Sequence, residues 1–290
     1  MIEPRVKVTA PAKINLGLCI QKKRDDGYHE IKTLFQAVNL YDTLEMSPGS
    51  KGIELLVEGE AIPTDKKNIV WKAAQLFLSR LDSPAGVQIL LKKRIPVAAG
   101  LGGGSSDAAA TLKGLNRLFN LPLPQKNLLE MGKQLGADVP FFLFGNSAMG
   151  EGIGTRLTST PALSKAWVVI ANPGFPISTK WTYSNISIDL LLTKKTDHIN
   201  MLRLFLGKND LPKIGRHLHN DLEAVVIRRY PAINELKKRL ISGGALGAVM
   251  SGSGASVFGI FNDRLLAEQV FDSIRKENTR WKIFLTEPLK

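Results

Sequence analysis

The residues best suited to chemistry begin with the run PVAAGLGGGSSDAAATL (Pro96–Leu112), which sets Gly102, Gly103, Gly104, Ser105 and Ser106 between a β-like stretch and an alanine-rich one. A helix N-terminus presents about four backbone N–H groups without intrahelical partners and roughly half a positive elementary charge. An anion binds there if no side chain blocks its approach. Glycine removes the block and tolerates the positive φ angles by which consecutive N–H groups form a nest around phosphate oxygens. The hydroxyls of Ser105 and Ser106 suit a cap, a phosphate donor or a place in the shell of a magnesium ion. Polyphosphate is therefore the ligand this run fits, and a plain Ser- or Asp-capped turn is the other reading. The pattern is not Walker A, since no Gly-Lys-Ser/Thr follows, and not G-x-G-x-x-G, because Ser105 stands where a glycine is required. Protein-kinase motifs of the H-R-D and D-F-G type are absent too.

Five further places hold candidate groups. In AKINLGL, Lys13 and Asn15 alternate with Ile14, Leu16 and Leu18, so a strand puts the two polar side chains on the face opposite the apolar ones. A solvent-facing strand lysine has the same pattern. Asp138 lies two residues before Pro140 and is a candidate base, although that position also suits a helix cap. Tyr28 and His29 form a pair able to stack on a nucleobase and hydrogen-bond its edge. In SGSGAS, the small residues Gly252, Ser253 and Gly254 permit close backbone contact with a ligand or simply turn a hairpin. Asn68, ahead of IVWKAA, is a good helix N-cap. The histidines His29, His198, His217 and His219 show no zinc-like spacing with cysteine, so no protein metal ligand is assigned.

The elements that must position these groups read as a mixture. β-like character covers Arg5–Ile20, Gly52–Gly59, Val87–Ile95 and Ala166–Gly174, and Gly247–Phe261 reads as strand, loop, strand. Helical spacing marks Asn68–Leu81, Ser106–Phe119 (ended by Asn120, Pro122 and Pro124), Lys126–Leu135 (stopped by Gly136), Asn220–Ile241 (interrupted by Pro231) and Leu265–Lys276. Strands and helices intermingle without strict βαβ alternation, which predicts an α+β class. The length of 290 residues suits two moderate domains, with the boundary expected between Leu157 and Lys165 and the domains at 1–160 and 161–290.

Composition narrows the class further. Hydrophobic residues are 44% and charged residues 22%, ordinary for a globular protein, which excludes disordered and fibrous classes. A single cysteine, Cys19, rules out an intrachain disulfide, and no signal-peptide core or run of about 18 apolar residues is present, so a cytoplasmic address without a membrane partner is expected. The net charge of +13 favours anionic partners without choosing among them. The Lys-Lys-Arg clusters at 22–24, 92–94 and 237–239 are short and carry no interleaved aromatics, so nucleic acid is not the expected partner. An RNA-binding protein is the rival from another class, and it would have no need for a candidate base such as Asp138.

PAKINLGL (Pro11–Leu18), PVAAGLGGGSSDAA (Pro96–Ala109) and SGSGAS (Ser251–Ser256) resemble, in order and approximate spacing, the three motifs of the galactokinase, homoserine kinase, mevalonate kinase and phosphomevalonate kinase superfamily. DGYHEIKTLFQAV (Asp26–Val38), GADVPFF (Gly136–Phe142) and ANPG (Ala171–Gly174) are similar, within it, to the 4-diphosphocytidyl-2-C-methyl-D-erythritol kinase family. The resemblance implies an N-terminal domain like ribosomal protein S5, a ferredoxin-like C-terminal domain and an active site in the cleft between them. It implies transfer of the γ-phosphoryl group of ATP to the 2-hydroxyl of a cytidyl diphosphate substrate, with magnesium accompanying ATP and held mainly by phosphates and water. Asp138 would then be the base and Lys13 the stabilising charge beside it, with Asn15, Tyr28, His29, Gly252, Ser253 and Gly254 on the substrate. Asn68 would meet adenine, and Pro96, Val97, Ala98, Ala99, Gly100, Leu101, Gly102, Gly103, Gly104, Ser105 and Ser106 would form the nucleotide loop. Another small-molecule kinase of the superfamily, for homoserine or mevalonate, is the alternative, and Tyr28 and His29 discriminate. Lys67 stands where the family often has an acidic residue, and residues 176–209 carry no recognised motif.

Overall fold

A computed structural model describes residues 5–81, 85–121, 123–186 and 197–290. Pro122 and part of the 176–209 stretch lie outside the described residues. The chain is α+β and divides into two compact units that are not consecutive halves. The first comprises 1–12, 40–97 and 102–145, and the second 13–39, 98–101 and 146–290. Two long strands, β1 (Val6–Lys23) and β2 (His29–Gly49), supply backbone to both.

In the first unit, β4 (Gly86–Lys92) pairs antiparallel with residues 43–49 of β2, and β3 (Gly52–Glu58) pairs parallel with β4. Four helices accompany them: α1 (Ile69–Leu78), α2 (Gly103–Leu118), α3 (Gln125–Leu135) and α4 (Val139–Phe144). Helix α2 is the central one, packing against each of the other three. It approaches the strands closely because Gly114 has no side chain: a Cβ there would lie 2.7 Å from Met46 Sδ on β2.

In the second unit, β5 (Ser147–Gly152) pairs with residues 31–36 of β2 and with β6 (Arg156–Ser159), while the two-residue β8 (His219–Asn220) runs parallel to β1. A separate antiparallel sheet has the order β11-β7-β10-β9, built from β7 (Trp167–Asn172), β9 (Gly247–Met250), β10 (Val257–Phe261) and β11 (Lys282–Thr286). After the short α5 (Thr179–Ser184) come α6 (His198–Lys208), α7 (Leu211–His217), α8 (Glu223–Arg229), α9 (Pro231–Ser242) and α10 (Arg264–Glu277). Helices α9 and α10 cover the second sheet in the expected ferredoxin-like layering, over a core that includes Val169, Val257, Phe261, Leu236 and Ile274. Pro231 splits the 220–241 stretch into α8 and α9 because it occupies the first helical position of α9, where its missing N–H costs nothing. Among the described residues, no helix is long and apolar enough to cross a membrane.

Candidate active site

The glycine-rich run is divided between the units, 102–106 belonging to the first and 98–101 to the second. In the first, α2 begins at Gly103, three residues before the expected start at Ser106. Gly102 is the N-cap residue at φ 69°, in the left-handed region, and no side chain caps the helix. The Ser106 N–H reaches the Gly102 carbonyl at 2.9 Å, so the N–H groups of Gly103, Gly104 and Ser105 precede the first intrahelical bond. The glycines have different reasons to be there. A Cβ on Gly103 would meet Ile95 Cγ2 at 2.9 Å, whereas Gly104 is exposed, and a Cβ there would meet only Ile69 Cγ2 at 3.6 Å. Neither packing nor a positive φ requires Gly104 to be glycine.

A buried ion cluster fixes this end of α2. Lys93 Nζ donates to Asp42 Oδ2 and, at 2.7 Å, to Asp107 Oδ2, and Asp42 Oδ1 accepts the Arg94 and Ile95 N–H groups at 2.5 and 2.9 Å. Burial, and then the Asp42 charge, push the Asp107 carboxyl up to about 7 against the pull of Lys93. The two carboxylates outweigh desolvation at Lys93, whose pKa is raised, so the ammonium stays charged. Asp107 Oδ1 and the neighbouring Ser106 Oγ are buried without hydrogen-bond partners.

Two other expected residues lie in this unit. Asn68 caps α1: its Oδ1 accepts the Val70 N–H at 2.9 Å and its Nδ2 donates to the Pro63 carbonyl at 2.6 Å. Asp138 occupies the N-cap position of α4, half-buried, yet its side chain makes no capping hydrogen bond.

In the second unit, Lys13 is buried, 3% exposed, rather than solvent-facing. Its ammonium donates to Asn15 Oδ1 at 2.5 Å and to the Gly100 carbonyl at 2.9 Å, and lies 5.7 Å from the centre of the Phe35 ring. Asn15 Nδ2 donates to Thr33 Oγ1 (2.8 Å), which donates to the Gly17 carbonyl (2.8 Å). The 251–256 loop joins β9 to β10 as a hairpin and also closes on this group. Ser251 Oγ donates to the Gly100 carbonyl at 2.9 Å, the Ser256 N–H to the Ala99 carbonyl at 3.1 Å, and Asn220 Nδ2 to the Met250 and Gly252 carbonyls at 2.7 and 2.8 Å. Gly100 must be glycine, because its φ is 76° and a Cβ would stand 2.0 Å from the Ser251 carbonyl oxygen. Gly252, at φ 53°, likewise leaves room: its Cβ would come within 3.1 Å of Lys13 Nζ. Ser253 Oγ shares a 2.9 Å hydrogen bond with Thr179 Oγ1.

Tyr28 and His29 separate in role. Tyr28 is 60% exposed, beyond a turn held by Arg24, whose guanidinium pairs with Asp26 and Glu30. His29 is 9% exposed and faces Tyr183 on α5, with ring centroids 5.2 Å apart. Burial, and then Lys23, lower its pKa, which keeps the imidazole neutral near pH 7.

Residues 68–146 match the GHMP kinases N terminal domain and residues 201–279 the GHMP kinases C terminal domain. The chain belongs to the GHMP kinases. Members of this family transfer phosphate from ATP, which accords with the bare N-terminus of α2. Among relatives, the 4-diphosphocytidyl-2-C-methyl-D-erythritol kinase of Syntrophus aciditrophicus is 46% identical over 96% of this chain and 98% of its own. That of Geobacter sulfurreducens is 42% identical, covering 93% and 95%. A crystal structure of 4-(cytidine 5'-diphospho)-2C-methyl-D-erythritol kinase superposes with a TM-score of 0.80 at 34% identity, over 97% of this chain and 98% of the other. A homoserine kinase from Cytophaga hutchinsonii reaches the same TM-score, 0.80, at 22% identity, a likeness of fold.

In this GHMP kinase, the motifs include Lys13, Asn15, Gly100 and the 251–256 loop, which the structure brings together, but not Thr33 and Asn220 beside them or Tyr183 beside His29. They also leave out Lys93 and Asp42 beneath α2. The Lys92–Arg94 cluster hid Lys93, a buried lysine among surface ones.

Proposed function

We propose that this GHMP kinase transfers the γ-phosphoryl group of ATP to the 2-hydroxyl of 4-diphosphocytidyl-2-C-methyl-D-erythritol. The observation that carries the reading is the aromatic set of Tyr28, exposed, and His29, held against Tyr183. A cytosine ring offers the flat face and polar edge such a set binds, and neither homoserine nor mevalonate has an aromatic ring. The extent of identity to the kinases of that name supports it.

The nucleotide phosphates bind the N–H groups at the start of α2, with Gly104 leaving the approach open and the Ser105 hydroxyl beside it. An adenine contact by Asn68 would use the amide hydrogen not given to Pro63. The family implies magnesium with ATP, and Ser106 Oγ, a buried hydroxyl without a partner in the first turn of α2, fits a ligand to it. A magnesium ion held there would supply positive charge to the phosphates. Asp138, a carboxylate at a cap position that it does not use for capping, accepts the hydroxyl proton. Lys13 contributes a fixed positive charge, oriented by Asn15 and the Gly100 carbonyl, that stabilises the transferring group. On this reading 1–160 and 161–290 are the two domains, supported by matched segments, 68–146 and 201–279, that lie on either side of the division.

A coupled ADP-release assay with the cytidyl substrate, mevalonate and homoserine tests the reading. Turnover is expected with the first alone, and Asp138→Asn lowers kcat at least about 100-fold in protein that still folds. Turnover with homoserine or mevalonate instead, or an active Asp138→Asn protein, overturns it.

A further inference from the structure

The second unit holds a cluster that phosphoryl transfer does not use. Strand β8 lies parallel to β1 with Gly17 opposite His219 and Leu18 opposite Asn220, and the Asp221 N–H continues the ladder to the Leu18 carbonyl at 3.0 Å. Alternation along paired strands then puts Gly17, Cys19, His219 and Asp221 on one face. Gly17 leaves a gap on that face, which Ile199 and Leu202 of α6 fill, since a Cβ on Gly17 would lie 2.7 and 2.8 Å from their Cδ1 atoms. His198 precedes Ile199 and lays its ring flat on His219, with centroids 4.0 Å apart and planes 2° from parallel.

We propose that Cys19, His219 and Asp221 form a binding site for one divalent cation of the zinc class. Among the described residues, these three each offer a donor atom, and the atoms lie within 4.8 Å of one another. Bonds of about 2.0–2.3 Å in a tetrahedron place donors roughly 3.3–3.7 Å apart, so side-chain adjustments of about an ångström close the site. One carboxylate oxygen of Asp221 accepts the Ile20 N–H at 2.7 Å, which fixes this ligand relative to β1, and the other meets His219 Nε2 at 2.7 Å, a hydrogen bond that metal binding would replace. A thiolate, an imidazole and a carboxylate together suit zinc and its close relatives, whereas magnesium and calcium take oxygen. A tetrahedral ion held by these three donors would have its fourth position left to water.

Metal binding would displace the Cys19 thiol proton to solvent and place positive charge beside the Asp221 carboxylate. His198, stacked on His219, keeps a buried Nδ1 that has no hydrogen-bond partner. The bound ion would clamp the two-residue β8 to β1. Asn220, between the two β8-side ligands, holds the Met250 and Gly252 carbonyls, so the clamp also steadies the 251–256 loop.

The test uses the full chain, freed of metal with a chelator and titrated with Co²⁺ in magnesium-free buffer, then with Zn²⁺ in competition. One equivalent of Co²⁺ is expected to bind with thiolate-to-cobalt charge-transfer absorption, and Zn²⁺ to displace it and raise the unfolding temperature. Cys19→Ser should abolish the absorption, and both it and His219→Gln should weaken zinc binding at least about tenfold. Absence of the thiolate band from the folded wild-type protein, or wild-type zinc affinity in folded Cys19→Ser, overturns the proposal.

Discussion

Replacing Gly104 by alanine separates a phosphate-binding helix end from an ordinary turn, because the two predict opposite balances of stability and activity. Gly104 is helical, without a positive φ, and an added Cβ meets only one methyl group at 3.6 Å, an ordinary van der Waals distance. The substitution removes backbone freedom from the unfolded chain and stabilises by about 0.5–1 kcal/mol. For a chain of this size that raises the unfolding temperature by about 1–4 °C. The same methyl projects into the approach to the first-turn N–H groups. Loss of one hydrogen bond to a charged phosphate costs about 1.5–3 kcal/mol, which is roughly a 10- to 100-fold rise in the KM for ATP at 1.4 kcal/mol per decade. Thermal unfolding and steady-state kinetics with varied ATP read both quantities. Gly103→Ala provides the contrast, since its Cβ would press on Ile95 Cγ2 at 2.9 Å and lower stability. A more stable Gly104→Ala protein with unchanged KM for ATP would refute phosphate binding at this helix end.

Lys13→Met keeps the buried volume and removes the charge, and kcat should fall about 100- to 1000-fold with a smaller change in KM for ATP, measured by initial rates. Tyr183→Ala strips the ring from His29 and should raise the KM of the cytidyl substrate about 5- to 100-fold, the scale of one lost stacking contact, while the KM for ATP stays put. Asp107 ionises near its ordinary 3.8 when unfolded and at about 7 when folded, so the native state binds the extra proton between those values. Its contribution is fully present below pH 3.8 and is lost as pH rises through 7. Asp107→Asn should therefore flatten the fall in unfolding temperature between pH 5 and pH 8, with Lys93 still paired to Asp42.

The helices were legible where their ends carry local signals. Asn68 starts α1, Gly136 follows α3, Pro231 opens α9, and each boundary lies at or near the residue whose chemistry implies it. Strand β2 escaped notice because the stretch from Thr33 to Val38 is buried throughout, so alternation, the usual sign of a strand, is missing there. Helix α2 started earlier than expected because three glycines read as loop, yet Gly103 and Gly104 are its first residues. Glycine is a poor helix former in the interior, but in the first turn its absent side chain serves close packing at Gly103 and an open approach at Gly104.

The chemistry at Lys13 was legible only as a face, not as an environment. Strand alternation assigns Lys13 and Asn15 to one side of β1, and the same alternation describes a lysine in water. What distinguishes them is the Gly100 carbonyl, 87 positions away in sequence, and the 251–256 loop behind it, anchored by Asn220. The cation cluster has the same origin. Cys19 and Asp221 face one another because a two-residue strand pairs with β1, and no spacing rule spans such a gap. Local signals fix elements, since capping and turn chemistry act within a few residues. Constellations are set by register between strands, so a single slip of β8 along β1 would turn His219 and Asp221 to the opposite face and dissolve both the cation cluster and the Asn220 anchor of the loop.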